Sequence, residues 1–281
     1  MNRLLCSLLL VGLLAVAPAR AQKVLRVVPQ NDVVLLDPVF GTAWVSMISG
    51  VMIYESLFTW DAAMRPQPMM VEAWSTSADG LVWRFTLRDG QHFHDGQKVS
   101  SEDVIASLRR WMEFDGGGAK LVAATAAMQM VDDATFEIHL TRPFPAMLGV
   151  LAAAPARFAA IMRRKDIPTE RRPVTTAIGS GPFRYVAEER ISGAKVVYAR
   201  NPAYVPRAEA PDGMAGGRVV KVDRVEWHII PDASTAAAAL QSGEMDVAER
   251  PAFDLLPLLA KNPQLRLRKL SPLADQTMLR L

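Results

Sequence analysis

Apolar and polar residues alternate most regularly in three stretches of the chain. In residues 82–88, Trp83, Phe85 and Leu87 face one way and Arg84, Thr86 and Arg88 the other. Phe136, Ile138 and Leu140 stand against Thr135, Glu137 and His139, and Val225, Trp227 and Ile229 oppose Arg224, Glu226 and His228 within 220–230. A period of two is that of a half-buried strand. Residues 24–28, closed by Pro29, and 196–199 are shorter β-rich runs. Asp79-Gly80, Asp89-Gly90 and Asp95-Gly96 around the first alternating stretch are turn pairs, so a β-meander is expected there.

Helical spacing takes over elsewhere. Trp44, Met47, Ile48, Val51, Met52 and Tyr54 predict a helix over 44–57. Val104, Ile105, Leu108, Trp111 and Met112 form the buried stripe of a second helix. Ser100 or Ser101 caps it, and Glu102 and Asp103 complement its dipole. Gly116-Gly117-Gly118 is expected to break the pattern. Asp232 opens a helix that Gly243 ends, and 255–259 reads as a short leucine-packed one. Residues 144–162 are expected to be helical in parts, and the Pro/Met stretch 64–70 to be a connection. Strands and helices mixed throughout give an α/β or α+β protein.

The length favours about two domains, and the 50% hydrophobic content supplies a large core. The formal net charge of +3 hints at a polyanionic partner. That hint dissolves because Arg3 and Arg20 lie in the first 21 residues, which hold no acid. No nucleic-acid partner is expected. Those 21 residues combine a cationic start, an apolar run over 4–16 and an Ala19-Arg20-Ala21 exit, the pattern of a cleaved export signal. The run is shorter than the ~20 residues that span a bilayer. Cys6, the only cysteine, falls inside it, so thiol catalysis and zinc-thiolate sites are excluded from the exported chain.

Candidate chemistry is sparse. His92 and His94, two apart on a strand and followed by Asp95, could face one metal ion, yet a turn edge places them equally well in solvent. Gly179-Ser180-Gly181-Pro182 lacks the Lys-Ser/Thr of a phosphate loop and the flanking glycines of a nucleophile elbow, which leaves a tight backbone crossing. Asp132-Asp133 reads as a turn. Trp74, Trp83, Trp111 and Trp227 read as core. Trp44, which follows a polar loop at a helix start, is assigned to packing with ligand cover as the alternative. No nucleophile is assembled with a base, so an enzyme is not expected, and neither is a cofactor.

One long stretch is more specific. Ala73-Trp74, Ser77, Asp79-Gly80, Trp83, Phe85, Leu87-Arg88, Gly90, Phe93-His94-Asp95-Gly96, Val99, Ser101 and Asp103-Val104 together resemble the signature of family 5 extracellular solute-binding proteins. Leu36-Asp37-Pro38, Tyr54-Glu55-Ser56-Leu57, Gly179-Ser180-Gly181-Pro182-Phe183, Asn201-Pro202 with Tyr204 two residues on, and the run from Ala239 to Asp246 resemble further motifs of that family in the same order. The resemblance implies the clamshell of the large peptide-binding type of periplasmic receptor, a hinged pair of lobes that passes ligand to an ABC importer's permease. It divides the chain into a signal peptide (1–21), lobe I (22–58 and 177–262), an inserted domain (59–176) and the start of lobe III (263–281). Family members are roughly twice this long, so the resemblance also implies a chain truncated before its second lobe, with an unpaired strand at 278–281.

Further expectations follow from the same resemblance. They are a monomer in the periplasm, peptides as ligand, and a first-lobe cleft wall made of Gln30, Asn31, Asp32 and Trp44. Nickel complexes or small metabolites, a sensor of the same fold, and a secreted metal-dependent hydrolase using His92, His94 or Asp95 are the alternatives.

Overall fold

A computed structural model describes residues 22–152 and 157–269 of the chain. The expected export signal at 1–21 and the expected strand at 278–281 lie outside the described residues. The first strand, β1 (Val24–Val28), leads through an irregular loop to helix α1 (Trp44–Ile53). A short hairpin follows, β2 (Phe58–Trp60) with β3 (Pro66–Pro68), then β4 (Val71–Thr76) and β5 (Val82–Leu87). Helices α2 (Ser101–Phe114) and α3 (Gly116–Val122) precede β6 (Thr125–Met130), β7 (Thr135–Leu140) and α4 (Met147–Ala152). The chain then forms β8 (Phe183–Tyr185), β9 (Lys195–Arg200), β10 (Arg224–His228), α5 (Ala233–Ser242), β11 (Val247–Ala248) and α6 (Leu256–Leu259).

The strands build two larger sheets. Strands from both ends of the described chain form a five-stranded one ordered β11-β1-β10-β9-β8, in which β1 runs parallel to β10 and to β11. Residues 71–140 alone supply an antiparallel sheet ordered β4-β5-β7-β6. One apolar core runs unbroken beneath both, from Tyr198 and Trp227 to Phe85, Phe136 and Trp111. This is the mixed α/β architecture expected from the patterning.

Several local features follow from residue chemistry as anticipated. Gly80, Gly90 and Gly96 take φ of +72°, +76° and +88°, a region that side chains rarely enter. At α2, Ser100 and Asp103 close a capping box: the Ser100 Oγ accepts the Asp103 amide proton and the Asp103 carboxylate accepts that of Ser100. Asp232 caps α5 through the Thr235 amide at 2.7 Å.

Other expectations are corrected. Helix α1 ends at Ile53, four residues early, because tertiary partners take the backbone beyond it. Gly181 donates to the Ile53 carbonyl, Ile161 to Glu55, Met70 to Ser56 and Met69 to Leu57. The first helical pattern does break at the glycine run, α2 ending at Phe114, but 116–118 then start α3, since the Asp115 carboxylate accepts the Gly117 and Gly118 amide protons at 2.8 and 3.1 Å. The supposed connection at 64–70 contains β3, where Pro66 and Pro68 tolerate an edge position. Trp74 is exposed rather than core. It lies on edge strand β4 and meets Phe58 edge to face at 5.4 Å.

The glycine-rich crossing is tight. A Cβ on Gly179 would stand 2.0 Å from the Ile53 carbonyl oxygen and 2.7 Å from the Tyr54 ring. Gly179→Ala is therefore expected to lower stability by about 2 kcal/mol through overpacking, which urea denaturation would measure.

Candidate functional site

The carboxyl ends of parallel β1 and β11 open onto one surface, the place where sheets of this kind bind ligands. After β1 the chain turns outward, leaving Gln30 and Asn31 exposed. Trp44, the first residue of α1, is 44% exposed, so the core assignment of its indole is corrected. What brings the loop and the indole together is Glu249, just beyond β11. Its Oε1 accepts the Trp44 indole N–H at 2.8 Å and its Oε2 accepts the Gln30 amide proton at 3.0 Å. The Glu249 amide in turn donates to the Val28 carbonyl at 3.0 Å and so continues the β1–β11 pairing. Sequence reasoning missed Glu249. Its position depends on the register Val28↔Ala248, which no local pattern encodes.

Asp32 sits differently from its neighbours. It pairs with Arg190 at 2.8 Å and accepts the Gly193 amide proton at 2.9 Å. Burial works to raise its carboxyl, but the hydrogen bonds from Arg190 and Gly193 and the charge of Arg190 outweigh it and hold it below the ordinary value. Asp32 thus anchors the loop to the turn at 190–193 and keeps Gln30 and Asn31 presented. Val34 and Phe253, each 90% exposed, add apolar surface on the loops that follow β1 and β11.

The other candidate cluster comes apart. His94 has both ring nitrogens engaged by backbone, Nδ1 with the Gly179 amide at 3.3 Å and Nε2 with the Gly181 carbonyl at 3.1 Å. Asp95 pairs with Arg163 at 2.6 Å and Lys165 at 3.4 Å, while His92 is exposed and bridges to Lys98. His92, His94 and Asp95 therefore do not converge on one point. Among the described residues, no group of three or more His, Cys, Asp or Glu is placed to hold a metal ion, and no helix is long and apolar enough to cross a membrane.

If Glu249 holds the indole, Glu249→Ala releases it. The expected result is a red-shifted, more quenchable Trp44 emission with a stability change within about 1 kcal/mol, the net worth of an exposed hydrogen bond. The difference spectrum against the same pair of chains carrying Trp44→Phe isolates this fluorophore.

Known proteins resemble this chain in sequence and fold. A curated relative from Sinorhizobium fredii, a probable peptide ABC transporter periplasmic-binding protein (y4tO), is 43% identical over 89% of this chain and 47% of its own. The glutathione-binding protein GsiB of Salmonella typhi is 29% identical over 95% of this chain and 50% of its own. The chain spans about half the length of the curated relatives it matches. Among solved structures, the binding protein AgaA of A. tumefaciens R10 with agropinic acid superposes with a TM-score of 0.69, covering 85% of this chain and 46% of that one at 22% identity. DppA of Helicobacter pylori with the peptide STSA gives 0.66, covering 86% and 50% at 24% identity. The fold is therefore that of the periplasmic binding proteins. The family model for bacterial extracellular solute-binding proteins, family 5, matches residues 65–280, and the chain belongs to that family.

Proposed function

We propose that the chain is part of the substrate-binding component of an ABC importer, with peptides as the ligand class. The observation that carries this is the wall at the carboxyl ends of β1 and β11, where Glu249 gathers an exposed indole and an exposed amide-bearing loop. An aromatic face and the Gln30 and Asn31 side chains suit a peptide, which offers apolar side chains and backbone donors and acceptors in alternation. Trp44, Gln30 and Asn31 touch the ligand in this reading, and Asp32 and Glu249 position them. Residues 59–176 are the inserted domain and 22–58 with 177–262 are lobe I. β2 straddles the boundary at 58/59. Residues 1–21 direct export to the periplasm, where a monomer presents ligand to the importer's permease.

The test is a thermal-shift titration of the chain with di- to pentapeptides, glutathione and nickel–histidine. A ligand that binds only the folded state raises its stability by ~2.7 kcal/mol at a hundred times Kd. Peptides are expected to raise the melting temperature, and Trp44→Ala to weaken their binding about tenfold, or ~1.4 kcal/mol. A response to nickel–histidine alone, or unchanged peptide affinity in the variant, overturns the proposal.

A further inference from the structure

The motif from Ala239 to Asp246 contributes no residue to the proposed ligand contacts, yet it leads directly to them. Ala239 and Met245 pack with Val28 of β1 in a small core of their own. Between them Gly243 ends α5 at φ +77° and turns the chain back, and the Met245 amide donates to the Ala239 carbonyl at 3.0 Å. The motif thereby lays the chain alongside β1 where β11 begins.

Asp246, its last residue, then exchanges two hydrogen bonds with one residue of β1. Its carboxylate accepts the Arg26 amide proton at 2.7 Å, and its own amide donates to the Arg26 carbonyl at 2.9 Å. The strand that follows is only two residues long, pairing Val247 with Val27 and Ala248 with Val28. So short a strand has few backbone bonds of its own to hold its register, and a slip of one residue turns every side chain to the other face. The same device stands on the other side of β1. Asp223, directly before β10, accepts the Lys23 amide proton at 2.8 Å and donates its own amide to the Lys23 carbonyl at 2.8 Å. That strand is five residues long and pairs with both β1 and β9, and Lys23 lies at the end of β1 away from the wall.

We infer that Asp246 is a positioning residue of the wall. Its bonds to Arg26 fix the register of β11, and that register sets Glu249 against Trp44 and Gln30. Asp223 is a clamp of the same build that leaves the wall untouched.

The inference takes the wall from the proposed function, but its test needs no ligand. Trp44 emission, isolated by difference against Trp44→Phe, is compared in Asp246→Ala, Asp246→Asn and Asp223→Ala. Asp246→Ala is expected to give a red-shifted, more quenchable emission, in the same direction as Glu249→Ala. Asp246→Asn keeps an oxygen for the Arg26 amide and is expected to keep the parent spectrum. Asp223→Ala is expected to melt about 2–4 °C below the parent, the shift one lost hydrogen bond gives in a chain of this size, with Trp44 emission unchanged. A parent-like spectrum in Asp246→Ala overturns the inference. So does an equal red shift in Asp223→Ala, which would make both clamps merely structural, or in Asp246→Asn, where only charge is lost. Titrating the variants with peptides separates this inference from the reading it rests on. A red-shifted Asp246→Ala that binds peptides as the parent does upholds the clamp and overturns the wall as the peptide site.

Discussion

Asp37→Ala is expected to cost about 3–5 kcal/mol, because it leaves a buried guanidinium without its counter-ion. The Asp37 side chain is fully buried and that of Arg110 on α2 nearly so. Arg110 donates to both carboxylate oxygens, at 3.2 and 2.5 Å. The same carboxylate accepts the amide protons of Val39 at 2.9 Å, Phe40 at 3.1 Å and Val174 at 2.7 Å. One side chain therefore ties the segment before α1 to α2 and to the chain returning at Val174. Without it, Arg110 keeps a carbonyl at Arg172, a sulfur at Met162 and the Phe114 ring 5.3 Å away. None of these carries a negative charge. For a chain of this size the loss corresponds to a melting point lower by roughly 6–20 °C. Asn at position 37 is no remedy, because its amide nitrogen would face donors. Adding Arg110→Met to Asp37→Ala removes the stranded charge and is expected to recover more than about 1 kcal/mol. Urea denaturation of the three chains measures this. A loss below 1 kcal/mol in the single variant, or an additive double variant, would show that the pair is not the tie described.

The legible parts of the fold were those decided within one element. The alternation over 82–88, the Asp-Gly turns, the capping box at Ser100 and the Asp232-to-Gly243 helix all depend on neighbours a few residues apart, and the structure has them where the pattern puts them. What the pattern hid is decided by partners far along the chain. Tyr54 fits the helical stripe of α1, but four backbone groups at 53–57 find partners at 69, 70, 161 and 181, and those bonds win. Edge strands β3 and β6 have weak patterns because one side meets solvent and proline or alanine suffices there. The candidate wall divides the same way. The loop at 30–32 and Trp44 were visible as a polar break and an aromatic at a helix start. Their meeting was not, since Glu249 reaches them only through strand pairing across some two hundred residues.

Titration of His94 is expected to remove about 2–3 kcal/mol of stability between pH 6.5 and 4. The Gly179 amide donates to Nδ1, so that nitrogen carries no proton, and Nε2–H donates to the Gly181 carbonyl. The neutral ring thus satisfies both neighbours, and a second proton would set Nδ1–H against the Gly179 N–H. Burial is the largest influence and disfavours the imidazolium. Arg184 and Arg163 act in the same direction, while the Gly181 carbonyl and Asp95 oppose them, and the net result is a pKa lowered to about 4. An unfolded histidine titrates near 6.5. Between about pH 4 and 6.5 the unfolded chain therefore binds more protons than the folded one, and stability rises with pH. The contribution is complete above about pH 6.5 and is lost as pH falls toward 4. Asp32 and Asp95 are held below their ordinary values, so their contributions fade only at lower pH and do not fill this window. His94→Gln offers an oxygen to Gly179 and an N–H to Gly181 and carries no titratable group. The variant is expected to match the parent near pH 7 within about 1 kcal/mol and to lose less stability on acidification. Urea midpoints measured from pH 7 down to 4 give the comparison. Parallel curves for parent and variant would show that the ring takes up its proton in the folded chain at no cost, and the buried neutral tautomer would then be wrong.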